Sequence, residues 1–104
     1  MQDIHVIDDA AAAAAALDPV RGRLLAALSK PASAAMLAER VGLTRQKVNY
    51  HLRALEAHGL ARVAEQRRWG GLTEHLFEAT ARSFVVSPDA LGPVAADPKR
   101  AADR

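Results

Sequence analysis

Residues 37–48 constrain the fold more than any other part of the chain, because their small and apolar residues have a defined spacing. Ala38 lies where one helix can be crossed closely by the next. Gly42 follows the last apolar residue of the first helix, at a left-handed turn that glycine adopts most cheaply. The expected shared core consists of Leu37, Val41, Leu43 and Val48. The spacing predicts a helix-turn-helix, whose second helix keeps one face exposed, as insertion into a DNA major groove requires.

The second helix of this pair, over residues 44–57, is predicted to have an apolar and a polar face. Thr44 is its expected N-cap, and His58-Gly59 ends it. The residues that recur at helical spacing and are expected to face the core are Val48, Leu52 and Leu55. The opposite face carries Gln46, Asn49, Tyr50, Arg53 and Ala57. Amides suit adenine, a guanidinium suits guanine or phosphate, and a ring suits thymine methyls or sugars.

Two cations, Arg45 and Lys47, occupy the first turn of this helix. There they oppose the helix dipole, at a cost of about 0.3–1 kcal/mol each for exposed sites. Beside a duplex the same positions meet phosphates, and counterion release outweighs this cost. The alternative interpretation is that they are ordinary surface charges, tolerated at a small cost.

Charge is distributed unevenly along the chain, although the net charge is only +2. Residues 1–20 contain four acidic residues and no basic one. Residues 40–70 contain seven basic residues against two acidic ones. This clustering places an attractive field on the helix-turn-helix and the segment after it, and it predicts a polyanionic partner.

Composition limits the size and the chemistry of the protein. A chain of 104 residues suits one small domain, and its core is limited because 24 residues are alanine. Such a domain often gains stability from a second copy of itself. The chain has no cysteine, which excludes disulfides, thiolate metal sites and thiol redox sensing. No signal-like region or membrane-length apolar stretch is present, so we expect a cytoplasmic protein with no membrane contact.

Three segments are expected along the chain: a flexible leader over residues 1–9, a DNA-binding domain over residues 10–86 and a C-terminal extension over residues 87–104. Residues 84–86 form either a third strand or a segment that crosses the core. Residues 87–91 predict one helical turn. The extension is either a frayed tail or a truncated dimer element.

Two further helices are predicted before the helix-turn-helix. Asp8 or Asp9 is expected to cap a helix over Ala10–Leu17. This run of alanines has no amphipathic stripe, so the helix either packs against a partner subunit, which we favour, or lies on the surface without a role. Asp18 and the proline after it predict the start of the second helix, and Ser33 caps the helix that ends at Gly42. The core residues expected on the second helix are Val20, Leu24, Leu25 and Leu28.

Residues 60–79 predict a β-hairpin with a basic tip. The expected strands are 60–66 and 72–79, around the sequence Arg-Arg-Trp-Gly-Gly. Arg67 and Arg68 can reach phosphates or the adjacent minor groove. Trp69 has three interpretations, namely folding back over the hairpin, contacting the DNA backbone, or lining a ligand or partner site.

Residues 42–60, with the sequence Gly-Leu-Thr-Arg-Gln-Lys-Val-Asn-Tyr-His-Leu-Arg-Ala-Leu-Glu-Ala-His-Gly-Leu, strongly resemble the ArsR-type winged-helix bacterial transcription regulators. The order of elements over roughly residues 15–80 agrees with that family. The resemblance implies a winged helix-turn-helix that is mainly α with a small β-hairpin wing. It also implies a homodimer that binds an inverted-repeat operator in double-stranded DNA, with one recognition helix in each major groove.

The resemblance also assigns roles to individual residues. Base reading carries over to Arg45, Gln46, Asn49, Tyr50 and Arg53. Contacts to the phosphate backbone are expected from Thr44, Lys47, Arg67 and Arg68. His51 also matches a family position, but its helical angle places it at the edge of the core, where a packing role is favoured.

The chain departs from the family in its sensing and dimer elements. Cysteine pairs are absent, and the four histidines form no His-x-x-x-His site, so no metal and no other cofactor is expected. The usual long C-terminal dimer helix is missing or only begun at Asp97. The helix Ala10–Leu17 is therefore the favoured dimer interface, with the C-terminal segment as a second candidate.

The leading hypothesis is a sequence-specific transcriptional regulator, a repressor without a metal effector. The alternative is a winged helix that acts as a protein-interaction module, with Trp69, Met36 and the apolar N-terminus as its surface. An enzyme is not expected, because no Ser/His/Asp set, glycine-rich phosphate loop or convergent carboxylate pair is visible.

Overall fold

Four α-helices and five strands build residues 1–91, which are the residues that the computed structural model describes. The helices are α1 (Ala10–Leu17), α2 (Pro19–Ala27), α3 (Ala34–Val41) and α4 (Arg45–Ala57). The strands are β1 (Gln2–Ile7), β2 (Ala32–Ser33), β3 (Ala61–Trp69), β4 (Leu72–Ala79) and β5 (Ala81–Val86). Because the strands hold nearly as many residues as the helices, the expected description "mainly α" is too narrow. The winged helix-turn-helix architecture itself is confirmed.

Each α-helix begins where the sequence predicts, because a side chain before it accepts a hydrogen bond from its first turn. The caps of α1 to α4 are Asp9, Asp18, Ser33 and Thr44, with oxygen–nitrogen distances from 2.8 to 3.2 Å. Asp18 accepts a second bond from the backbone N–H of Arg21 at 3.1 Å. That bond lowers the pKa of the Asp18 carboxyl below its ordinary value, because it favours the charged form.

The core lies where α2, α3 and α4 meet the base of the hairpin. The fully buried side chains there include Leu24, Leu28, Leu37, Val48, Leu52, Leu55 and Leu60. The predicted apolar stripes of α2 and α4 are therefore confirmed, and Val41 and Leu43 pack against the same cluster. Gly42 ends α3 with a φ of 70°, and its N–H donates to the Ala38 carbonyl at 3.0 Å. This left-handed residue sets the sharp turn between α3 and α4.

The hairpin of β3 and β4 is longer and tighter than the sequence predicts. Trp69 pairs directly with Leu72, so only Gly70 and Gly71 form the turn. Gly70 has a φ of 58°, as a two-residue hairpin turn requires. β2 pairs with the other edge of β4, giving an antiparallel sheet of order β2-β4-β3. Since β2 runs directly into α3, the base of the wing is fixed to the start of the helix-turn-helix.

The N-terminal residues are not a flexible leader. β1 pairs in parallel with β5, from Gln2 opposite Ala81 to Ile7 opposite Val86, and Ile7 is buried. The expectation for residues 1–9 is wrong because their partner strand lies some 80 positions away in sequence, beyond any local pattern. The same pairing decides between the two interpretations of residues 84–86, which belong to a strand.

Helix α1 packs within its own subunit. Ala12, Ala13 and Ala15 are buried, and α1 contacts α2, α4 and a 3₁₀ turn at Pro88–Leu91. The predicted helical turn over residues 87–91 is thereby confirmed. One side of α1 is therefore covered within the subunit, while Ala10, Ala11, Ala14 and Leu17 are exposed on the other. The dimer interface on α1 stays a prediction for that exposed side. The rest of the predicted C-terminal extension, residues 92–104, lies outside the described residues.

Between residues 1 and 91, no helix combines the length and the apolar character needed to cross a membrane.

Candidate nucleic-acid interface

Helix α4 is held by one face and exposed along the other. Val48, Leu52 and Leu55 are fully buried under α2 and α3. On the opposite side, 66% of the Tyr50 surface is exposed. Because α4 spans 13 residues, its outer face extends for more than three turns. A helix of this length, anchored on one side only, can enter a groove without breaking its contacts with the core.

The side chains that the resemblance assigns to base reading share one surface of α4. They line a single shallow, open depression formed by Arg45, Gln46, Asn49, Tyr50 and Arg53. The fold therefore brings together all five residues that the sequence singled out. This surface offers amide donors and acceptors, guanidinium donors and an aromatic ring within one helical face.

A second groove separates α4 from the wing. Arg45, Asn49 and Arg53 line it from the helix, and Trp69 and Thr73 are among the residues that line it from the hairpin. Asn49 is half-buried, since it lies where this groove and the shallow depression meet. The helix and the wing thus present polar groups to one continuous concave surface.

Some of the cations around this surface form ion pairs with carboxylates, and others do not. Arg62 pairs with Glu78 at 2.7 Å, and Arg67 pairs with Glu65 at 3.3 Å. Within residues 1–91, no carboxylate lies within 4 Å of the cationic groups of Arg45, Lys47, Arg53 or Arg68. These four can meet an external anion without first breaking an ion pair. The wing residues Arg67 and Arg68 are therefore not equivalent, a distinction that the sequence does not reveal.

Thr44 has a double use in this arrangement. Its Oγ1 accepts a hydrogen bond from the N–H of Lys47 at 3.1 Å and so caps α4. The hydroxyl proton stays free to donate, because capping uses only a lone pair of the oxygen. Thr44 is exposed, as are Arg45 and Lys47 beside it.

Trp69 does not fold back over the hairpin. Its surface is 61% exposed, and it lines the groove toward α4 together with Leu72. Of the three interpretations, the two that keep the indole accessible agree with this placement. Met36, the other apolar residue of the suggested protein-interaction surface, is 39% exposed on α3.

Sequence reasoning missed Arg21, which supports the outer face of α4 from α2. Its Nε donates a hydrogen bond to Nδ1 of His51 at 3.1 Å. Its guanidinium carbon lies 6.0 Å from the centroid of the Tyr50 ring, at the limit of a cation–π contact. His51 is half-buried at the edge of the core, as expected, and its ring also meets Tyr50 edge-on at 5.3 Å. No local signal could reveal this contact, because 30 positions separate Arg21 from His51.

Arg21 is expected to act through Tyr50 on the DNA affinity that the resemblance to ArsR-type regulators implies. We expect the single variants Arg21→Met and Tyr50→Ala each to weaken binding, and the double variant to lose less than the sum of the two. The expected coupling is about 0.5–1 kcal/mol, since the contact is exposed. The coupling is measured by titrating the wild type, the two single variants and the double variant against one duplex and following fluorescence anisotropy. Strictly additive losses would show that Arg21 does not position Tyr50.

This arrangement of α3 and α4, with a hairpin beside them, defines a winged helix-turn-helix. In agreement, residues 16–64 match a family model described as a helix-turn-helix domain. No curated protein matches the chain in sequence.

Two solved structures from Mycobacterium bovis share the fold. One, determined in solution, is described as the homodimeric winged helix-turn-helix DNA-binding domain of a possible ArsR-family transcriptional regulator. It is 21% identical, with 90% of this chain and 77% of that chain covered at a TM-score of 0.56. The other is the crystal structure of a possible transcriptional regulatory protein, 21% identical over 91% of this chain and 90% of that chain, with a TM-score of 0.55.

Proposed function

We propose that the protein is a DNA-binding transcription regulator that reads the major groove with the helix over residues 44–57. One observation carries the proposal: the five polar side chains Arg45, Gln46, Asn49, Tyr50 and Arg53 share one exposed face of a helix whose other face is fixed in the core. A major groove admits a helix presented in this way, and its base edges offer partners for amides and guanidinium groups.

The two kinds of contact have separate roles in this proposal. The amides of Gln46 and Asn49, the ring of Tyr50 and the guanidinium groups of Arg45 and Arg53 read base edges. The phosphate backbone is held by Thr44, Lys47 and Arg68, and by Arg67 when a phosphate replaces Glu65 in its exposed ion pair. The wing over residues 60–79 follows the backbone or the minor groove. Affinity then comes mainly from the phosphate contacts, and specificity comes from the base contacts of the helix face.

The regulator is proposed to act as a homodimer on an inverted repeat. The resemblance of residues 42–60 to ArsR-type regulators supports this assembly, and one similar structure is described as homodimeric. A twofold dimer presents two recognition helices to two half-sites, which makes the operator palindromic. Occupation of such a site would block transcription, so repression without a metal effector is the proposed mode.

Selection of bound duplexes from a random DNA pool tests the proposal. The expected result is an enriched palindrome whose retention falls steeply with salt, and a mass in solution of twice 11.1 kDa. A protein-interaction module would instead show no salt-sensitive retardation of any duplex at micromolar protein. That outcome would replace DNA binding with the alternative function.

Loss of Arg68 is expected to weaken binding to every sequence. We expect Arg68→Ala to lower affinity for the operator and for random DNA alike, and to reduce the salt slope by about one per subunit, because one phosphate contact disappears. Arg62→Ala is the matched control, since it removes the same charge from the same strand while Glu78 already neutralises Arg62. Binding isotherms at several salt concentrations give both slopes. Equal effects of the two variants would contradict the role of the wing tip.

A further inference from the structure

The sheet formed by β1 and β5 exposes aliphatic side chains on its outer side. Ile4, Val6 and Val85 are 60%, 58% and 50% exposed, respectively. Val6 and Val85 pair in register, and Ile4 pairs with Ser83, so these four residues adjoin one another. We call them the β1–β5 outer face. Their surface is apolar except for one hydroxyl.

The opposite side of the same sheet is already occupied. Ile7 is buried there, Phe84 and Val86 pack against the core, and the His5 ring lies 5.6 Å from that of Phe84. The strands therefore have apolar residues on both sides, rather than the alternation typical of a half-exposed sheet. Parallel strands are found almost only where both faces are covered, and a two-stranded sheet is marginal alone. The β1–β5 outer face has the properties of a surface that is covered in the working protein.

We propose that a second copy of this chain covers the β1–β5 outer face, and that this face is the centre of the homodimer interface. This inference rests on the proposed function, which requires a dimer. A twofold interface joins the same patch on both subunits, and an apolar patch without charged residues is complementary to itself. The charged pair Asp3–Arg82 comes from alternate positions of the same strands, where it does not interrupt the patch.

The position of this face suits a dimer that holds DNA. β1 and β5 contribute no residue to the depression on α4 or to the groove beside the wing. A partner seated on the β1–β5 outer face would therefore leave the proposed DNA surface free. The chain's own residues 92–104 are a poorer occupant, because Val94 is their only branched aliphatic side chain.

The three aliphatic side chains are the centre of the interface rather than all of it. A stable interface buries about 800 Å² on each partner, which is more than three side chains supply. Interface centres are typically apolar and their rims polar, so neighbouring polar residues of β1 and β5 complete the contact. A charge placed at the centre is expected to dissociate the dimer, since it would be buried without a partner.

A matched pair of variants in the full chain tests this surface. We expect Val6→Lys to raise the dimer dissociation constant at least about 100-fold by sedimentation equilibrium, because the ammonium group would face an apolar partner. Leu17→Lys is the control, since Leu17 is 62% exposed on α1 and its replacement adds the same charge. It is expected to leave the dimer intact. Circular dichroism checks that both variants fold, and Ile4→Lys replaces Val6→Lys if the latter does not.

The outcomes separate this inference from the proposed homodimer. A dimeric Val6→Lys protein would overturn the surface assignment, whether Leu17→Lys dissociates or not. Dissociation by Leu17→Lys alone would return the interface to α1. A wild-type mass of 11.1 kDa at all concentrations would instead overturn the homodimer itself. Loss of half-site duplex binding by monomeric Val6→Lys would contradict the placement of this face apart from the proposed DNA surface.

Discussion

We expect Asn49→Ala to weaken binding to the selected operator by about 1–3 kcal/mol while leaving binding to random DNA nearly unchanged. Asn49 lines both the depression on α4 and the groove beside the wing, so a duplex bound across the two would lie against this residue. An amide can bond an adenine edge through a donor and an acceptor at once. Its removal lowers the specificity for the operator without changing the charge of the protein. Competition of operator against random duplex at constant salt measures the ratio of the two affinities.

Lys47→Ala is the control for this prediction on the same helix. Lys47 is exposed in the first turn, and no carboxylate of the described residues lies within ion-pair distance of its ammonium group. Its removal should lower affinity for operator and random DNA by similar factors, because phosphates carry no sequence information. If Asn49→Ala, like Lys47→Ala, lowers the affinity for operator and the affinity for random DNA by the same factor, the separation into base and backbone contacts is wrong.

The second large effect is expected on stability. Leu52→Ala should lower the free energy of unfolding by about 2–5 kcal/mol, because Leu52 is fully buried and its loss leaves a cavity. Small domains are stabilised by only about 5–15 kcal/mol in total, so the variant loses a large share of its stability. Urea unfolding followed by circular dichroism measures the change at a protein concentration held constant, since dimerisation adds to stability.

Glu56→Ala provides the comparison for Leu52. Glu56 is exposed on the same helix, so its replacement should change the free energy of unfolding by no more than about 0.5 kcal/mol. A loss below about 1 kcal/mol for Leu52→Ala would mean that α4 is not anchored through this residue. The exposed face of the helix would then lack the support that the proposed function requires.

Local chemistry explains why most of the helical part could be predicted from the sequence. Asp18, Ser33 and Thr44 each cap a helix through a bond to a residue two or three positions later. The apolar spacing of α4 places its core face and therefore its outer face as well. Gly42 fixes the turn before α4 through its own φ. The placement of the five polar residues of α4 on one surface follows directly from these short-range causes.

Contacts between distant parts of the chain could not be predicted in this way. The apolar residues of β1 gave no sign of which segment they meet, because a parallel partner can lie anywhere later in the sequence. The burial of α1 likewise depends on the 3₁₀ turn at Pro88–Leu91. The ion pair Arg67–Glu65 is within one strand, yet charge alone did not distinguish Arg67 from Arg68.

The parallel pairing of β1 with β5 also affects how the protein is made. Residues 2–7 leave the ribosome well before residues 81–86, and they cannot pair until those residues have followed them. The helices need only near neighbours and can form much earlier, since contacts of short sequence separation close fastest. Synthesis thus passes through a stage in which the helical segments have emerged and the N-terminal strand is still unpaired. Ile4, Val6 and Ile7 are then open to chaperones, or to aggregation, until translation of the domain is complete.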